Sequence, residues 1–200
     1  MFKIKKLNKI AAVGTDILDA DKFTCADDID APDGILVRSA DMHEYPLNPE
    51  LKAIARAGAG TNNIPLDKCA EQGIVVFNTP GANANAVKEL VITSLLLSSR
   101  NIIGGIEWAK TLKGEADVAK LVEKGKSQFV GPEIKGKTLG VIGLGAIGAQ
   151  AAEAAFYLGM NVIGYDPFMS IETFMTKMPF AKKVDDENEI FEKADYITLH

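Results

Sequence analysis

Three glycines, Gly143, Gly145 and Gly148, follow the apolar run Thr138–Ile142 and open a stretch of small residues. In the order strand, glycine loop, helix, each glycine has a mechanical use. Gly143 permits a tight turn out of the strand. Gly145 has no Cβ, so backbone amides can approach a pyrophosphate. Gly148 lets helix and strand pack closely. The helix start, at Ala146 and Ile147, adds unpaired N–H groups and the positive end of the peptide dipole, which together favour a phosphate. A second apolar run, Asn161–Tyr165, ends at Asp166. A carboxylate at that place accepts hydrogen bonds from both hydroxyls of an adenosine ribose and repels a 2′-phosphate, so the pattern predicts NAD in preference to NADP. In a chain with 18 glycines the triplet alone is weak. The strand before it, the helix after it, the second strand and the acid that ends it make the pattern specific.

Short apolar runs alternating with helical spacing must hold these residues in place. Candidate strands are Phe2–Leu7, Gly34–Val37, Ala53–Ala57, Ile74–Phe77, Thr138–Ile142, Asn161–Tyr165 and Tyr196–Leu199. Several are apolar on both faces, as buried parallel strands must be, and the alternation predicts an α/β fold with right-handed crossovers. Residues 86–110 read as one long helix, with Val87, Leu90, Val91, Ser94, Leu95 and Ser98 at helical spacing and Asn83 or Asn85 able to cap its start. A helix of that length between two strand-rich halves predicts two domains, 1–98 and 99–200, with a cleft between them. The helix after the glycines is expected to bury Ile147, Ala151, Ala154, Ala155 and Leu158. The final run, Lys193 to His200, reads as a strand without a closing turn or helix, so the expectation is a piece of a longer protein whose nucleotide-binding sheet is incomplete here, with an apolar edge at Tyr196–Leu199.

Composition narrows the function classes. The 200 residues are 47% hydrophobic and 24% charged, with a net charge of −5. That balance argues against nucleic acid and anionic membrane surfaces as partners. The lysines at Lys3 to Lys9 and at Lys182-Lys183 form short clusters expected on solvated faces. No apolar run reaches membrane-spanning length, and the start Met1-Phe-Lys-Ile-Lys-Lys6 lacks the apolar centre of a signal peptide. Cys25 and Cys69 lie far apart without metal-ligand spacing, which predicts reduced thiols, a cytoplasmic location and no metal site.

Four further stretches carry a family resemblance over essentially the whole chain. They are Gly34-Ile-Leu-Val-Arg-Ser39, Ala57-Gly-Ala-Gly-Thr-Asn-Asn-Ile-Pro65, Phe77-Asn-Thr-Pro-Gly-Ala-Asn-Ala-Asn-Ala-Val-Lys-Glu-Leu90, and Gly131-Pro-Glu-Ile-Lys-Gly-Lys-Thr-Leu-Gly140. With the glycine motif they resemble the D-isomer-specific 2-hydroxyacid dehydrogenases, most of all the branch acting on 3-phospho-D-glycerate on the route to serine. The resemblance implies a flavodoxin-like substrate domain followed by the first part of a Rossmann-type NAD-binding domain. It implies that Arg38, Ser39 and Asn83 contact a small phosphorylated 2-hydroxy or 2-oxo acid, that the amides of Ala59 and Gly60 receive its carboxylate, and that Thr79, Ala146, Ile147 and Asp166 contact NAD. It also implies a homodimer or higher homo-oligomer in the full-length form.

Two departures stand out. Many relatives carry Arg or His where this chain has Ala146, so a side-chain phosphate contact is missing and backbone amides must hold the pyrophosphate. Lys88 stands where many carry a small residue, either adding charge near a phosphorylated substrate or lying as a solvated helix residue. The reaction implied is reversible hydride transfer from C2, with a His–carboxylate pair and an Arg as acid–base machinery, expected beyond residue 200. His43 sits in a polar loop, and His200 matches a strand-end His of the cofactor cleft. Two other readings are another 2-hydroxyacid dehydrogenase, of the glyoxylate, hydroxypyruvate or D-lactate type, and a non-catalytic NAD-sensing module of the same fold.

Overall fold

The computed structural model describes residues 1–200. They form two compact units, Met1–Asn83 and Ala84–His200.

The first unit runs β1 (Phe2–Leu7), α1 (Ala12–Thr15), β2 (Phe23–Ala26), β3 (Gly34–Val37), β4 (Ala53–Arg56), α2 (Leu66–Glu71) and β5 (Val75–Phe77). Its five strands are parallel in the order β2-β1-β3-β4-β5. That is the flavodoxin-like order, and the strand order reverses between β1 and β3 while every strand keeps the same direction. One face is sealed by Ile35, Val37, Met42, Leu51, Ile54, Ile64, Cys69 and Ile74, so loops as well as helices supply the cover. β5 is an edge strand, with Val75 and Phe77 exposed.

The second unit runs α3 (Ala84–Ser99), α4 (Ile102–Thr111), α5 (Val118–Gly125), a 3-10 turn (Lys126–Phe129), β6 (Thr138–Ile142), α6 (Ala146–Tyr157), β7 (Asn161–Tyr165), α7 (Ile171–Lys177), β8 (Lys182–Lys183), α8 (Asn188–Lys193) and β9 (Tyr196–Leu199). Its parallel sheet has the order β8-β7-β6-β9, the first part of the doubly wound dinucleotide-binding topology. Leu139, Val141, Leu144, Ala152, Ala155, Met160, Val162, Phe174 and Met178 form the main core. β9 is an edge on one side, and Ile197 and Leu199 are exposed there.

Several expectations change. The two units divide before Ala84 and not near residue 98, because α3 packs along α6 and so joins the second unit. The helix expected over residues 86–110 breaks at Arg100-Asn101, where α3 and α4 bend by 66°. Ser98 and Ser99 turn their hydroxyls back onto the Leu95 carbonyl, and Asn101 starts the next helix by accepting from the Gly104 amide. The stripe expected to face the core is only partly inside. Leu95 is buried and Leu90 is exposed, while Ser99, off that stripe, is buried and bonds the Tyr196 hydroxyl at 2.8 Å. Asn85 does not cap α3, since its side chain bonds Glu89 and Lys88 within the helix. On α6 the buried residues are Gly148, Ala151, Ala152 and Ala155, with Leu158 exposed just past the helix end. β2 and β8 were not expected. β2 is four residues in an Asp-rich stretch, and β8 is the Lys182-Lys183 pair, which joins the sheet through its backbone. No single helix is long and apolar enough to cross a membrane.

The two sheets share a device at their amino edges. Asp33, just before β3, accepts from the Lys3 amide of β1 at 2.9 Å and from Lys52 Nζ at 2.5 Å. Asp195, just before β9, accepts from the Thr138 amide of β6 at 2.8 Å and pairs with Lys137 at 3.5 Å. Each carboxylate takes up the first free N–H of its neighbouring strand. The Lys52 hydrogen bond foremost, then the Lys3 amide, holds the Asp33 carboxyl below its ordinary value, and the Thr138 amide does the same for Asp195. A carboxyl held low in the folded state adds stability above the unfolded value, about 3.9, and that contribution fades as pH falls through the folded value. Asp33→Asn and Asp195→Asn therefore lower the urea midpoint at pH 7, and the gap from the parent closes below about pH 4. A gap of equal size at pH 7 and pH 3 contradicts this account.

Candidate functional site

Ligand-facing groups in each unit gather at the carboxyl ends of the strands, where crevices in open α/β sheets form.

In the second unit β6 delivers the chain into Gly143 at φ +85, a left-handed backbone that suits glycine. A Cβ there would collide with the His200 carbonyl, and one on Gly148 would collide with the Gly143 carbonyl. Gly145 differs, for a Cβ on it would meet nothing within 4 Å. It is the uncapped N-cap of α6, so the amides of Ala146, Ile147 and Gly148 face that open space without protein acceptors. Leu144 is buried, and its amide donates to Asp166 Oδ2 at 2.9 Å. Asp166 Oδ1 accepts from the Phe168 amide at 2.9 Å. Free helix-start amides, an open cradle without Cβ atoms and a carboxylate at the end of β7 fit the pyrophosphate and ribose of a dinucleotide. Ala146 adds no side-chain charge. His200 bonds the Thr198 hydroxyl at 2.9 Å, and burial holds its imidazole below the ordinary value.

In the first unit Arg38 and Ser39 follow β3 and are exposed. Their backbone is gripped from three sides. Asn8, in a left-handed conformation just past β1, accepts from the amides of Arg38, Ser39 and Ala40 at 3.3, 2.9 and 2.7 Å. Asn63 Nδ2 donates to the Ala40 carbonyl at 2.7 Å, and Arg56 Nε donates to the Arg38 carbonyl at 3.1 Å. Arg56 also reaches Asn62, and its guanidinium lies where a Cβ on Gly60 would go, 2.9 Å away. Asn78 and Thr79 hold the loop's far side through the carbonyls of Ala59 and Gly58. The amides of Ala59 and Gly60 donate to no protein acceptor. Neither Arg38 nor Arg56 has a carboxylate partner. Small side chains, free amides and unpaired guanidinium groups at one strand edge suit a carboxylate or phosphate.

The structure thus brings Arg38, Ser39, Ala59 and Gly60 to one edge, with Thr79 bonded to the same loop and Asn83 exposed at the end of the unit. The glycines, Ala146, Ile147 and Asp166 form the second group. Asn8, Arg56, Asn63 and Asn78 also shape this edge, and no sequence motif points to them. Asn8 and Arg56 end strands, which is the one local signal they carry. Lys88 bonds Asn85.

Fold and site together define a dinucleotide-binding protein of the α/β class, with a second parallel-sheet unit before it whose carboxyl edge keeps free amides. Residues 92–200 match the family described as D-isomer specific 2-hydroxyacid dehydrogenase, NAD binding domain. The chain belongs to the D-isomer specific 2-hydroxyacid dehydrogenase family, and NAD is the cofactor of its second unit. Among curated relatives it is similar to D-3-phosphoglycerate dehydrogenase of Methanocaldococcus jannaschii, 42% identical over 76% of this chain and 26% of the relative. It is also similar to hydroxypyruvate reductase of Thermotoga maritima, 39% identical over 84% of this chain and 51% of that one. The NAD-bound crystal structure of 3-phosphoglycerate dehydrogenase from Entamoeba histolytica aligns with a TM-score of 0.68 at 27% identity, covering the whole of this chain and 62% of its own. The chain spans from about a quarter to about half the length of these two curated relatives.

Asn8→Ala leaves three consecutive amides without their shared acceptor. Amide hydrogen exchange at Arg38, Ser39 and Ala40 is expected to accelerate by about tenfold or more, with exchange at Ile35 and Ile54 unchanged. Unchanged exchange at the three amides removes Asn8 from this role.

Proposed function

We propose that the full-length protein is an NAD-linked dehydrogenase that oxidises 3-phospho-D-glycerate to 3-phosphohydroxypyruvate on the route to serine. In this reading the first unit binds substrate and the second binds NAD, which when bound accepts hydride from C2. The observation that carries it is the strand edge of the first unit, where two free loop amides accompany two arginines without carboxylate partners. The amides of Ala59 and Gly60 receive the substrate carboxylate. Arg38, with Ser39 and Asn83 around the same substrate, supplies a mobile positive charge for its anionic groups. Arg56 keeps the loop in shape from behind. Ala146 and Ile147 border the cofactor, and Asp166 selects NAD against NADP by repelling a 2′-phosphate.

The similarity to a hydroxypyruvate reductase supports a second reading, in which the substrate is an unphosphorylated 2-oxo acid. Turnover of paired phosphorylated and unphosphorylated hydroxy acids by the full-length protein separates the two. We further propose a homo-oligomer, supported by the exposed apolar side chains Leu97, Ile103 and Ile106 on α3 and α4. The free thiols Cys25 and Cys69 support a cytoplasmic setting.

Arg38→Ala is expected to weaken substrate binding by about tenfold or more, the loss of one charge-assisted contact. NAD affinity, read by calorimetry, stays within about twofold of the parent's. Equal loss of both indicates a damaged fold. Residues 1–200 by themselves are expected to show no NAD-linked oxidation of 3-phospho-D-glycerate. Neither imidazole has a carboxylate partner, with His43 bonded to the Asn62 carbonyl and His200 to Thr198. Turnover comparable with that of the full-length protein would assign the acid–base role to one of these two.

A further inference from the structure

The carboxylate of Asp166 is shared between the end of its own strand and the glycine loop. Oδ1 closes a turn on the Phe168 amide, and Oδ2 crosses to the amide of Leu144, each at 2.9 Å. Leu144 lies between Gly143 and Gly145, is 2% exposed, and has its side chain wedged against Gly164 of β7. Its amide has no other acceptor, and a buried amide needs one. The preceding amide, of Gly143, is tied to the Tyr165 carbonyl at 2.9 Å. Two successive loop amides are therefore fastened to the end of β7, one by backbone and one by Asp166. The next amides, from Gly145 onward, are those left facing the open cradle.

A carboxylate offers about four lone-pair positions. Two are used by Leu144 and Phe168, and two remain, the number that a pair of ribose hydroxyls requires. An asparagine has a single acceptor oxygen and would set its NH2 group against one of the two amides.

We propose that Asp166 is also a positioning residue for the phosphate loop, coupling the ribose site to the pyrophosphate site through the Asp166 Oδ2–Leu144 N hydrogen bond. The inference rests on the dinucleotide reading of Asp166 given above and extends it. It carries a consequence for specificity. Removing Asp166 to admit a 2′-phosphate also releases the loop that holds the pyrophosphate, so NADP gains nothing from the change.

The test compares the parent chain, Asp166→Ala and Asp166→Asn. Amide hydrogen exchange is followed by NMR at Leu144, with Val141 and Val162 as fold controls. Binding of inorganic pyrophosphate, adenosine and NAD is followed by calorimetry. In Asp166→Ala, Leu144 exchange is expected to accelerate by about tenfold or more, and pyrophosphate binding to weaken several-fold. The second sign is opposite to simple electrostatics, since deleting a negative charge alone would strengthen pyrophosphate binding. Asp166→Asn, which keeps one acceptor, is expected to fall between parent and Ala in Leu144 exchange. If Asp166→Ala loses protection at Val141 and Val162, Asp166→Asn carries the comparison. Leu144 exchange unchanged in both variants, pyrophosphate binding equal or tighter in the variant whose controls hold, or a parent that binds no pyrophosphate overturns the proposal. A parent that binds pyrophosphate but binds NAD and adenosine no better would instead count against the dinucleotide reading, leaving the loop coupling to stand on the exchange data.

Discussion

Strand direction is the constraint on which the rest of this molecule depends. When every strand in a sheet runs the same way, every chain exit gathers at one edge, and the backbone beyond the last ladder bond must find partners there or remain free. Both units meet the demand in the same manner. Side chains from neighbouring strand ends take up selected loop groups, as Asn8 does for the Arg38–Ala40 turn and Asp166 does for Leu144. The amides left over are at Ala59 and Gly60 and at the start of α6, beside glycines, which carry no Cβ. Free donors are thus the remainder of a hydrogen-bond accounting that the sheet imposes.

The opposite edge is treated differently. There the exits are strand beginnings, and Asp33 and Asp195 close them with carboxylates against the first amides of the adjacent strands. One end of each sheet is tied by charge-assisted bonds, and the other is held in shape yet keeps donors in reserve. The separation leaves loops at the carboxyl edge free to vary without disturbing the strand order.

What the sequence discloses follows from how local each signal is. β6, the glycine loop, α6 and β7 are legible because apolar runs, glycines and a terminal acid lie within some thirty consecutive residues. Strand order in both units agrees with the expected flavodoxin-like and Rossmann-type topologies. β2 and β8 escape notice because they are short edge strands whose membership depends on backbone pairing and not on an apolar pattern. The break at Arg100-Asn101 is hidden because apolar residues continue on both sides, Leu95–Leu97 before it and Ile102-Ile103 after it, and the serine and asparagine side chains turn the chain there. The division before Ala84 depends on α3 meeting α6, a contact between residues far apart in the chain. Asn8, Arg56 and Asn63 are hard to read for the same reason, since each acts on backbone 18 to 32 residues away, and a strand end is the one local mark that Asn8 and Arg56 carry.

The chain's single tryptophan has a place that bears on how the protein can be watched. Trp108 of α4 lies against Phe129, ring centres 5.1 Å apart, and its six-membered ring fills the space a side chain on Gly125 would need. Neither sheet contributes to that contact. Intrinsic indole fluorescence is therefore a local gauge of the small helical arm built from α4, α5 and the turn after it. Circular dichroism, by contrast, sums over the whole chain. When the two optical signals are recorded in one melt, their difference isolates the arm and shows whether it loosens before the sheets or together with them, with no label attached to the protein.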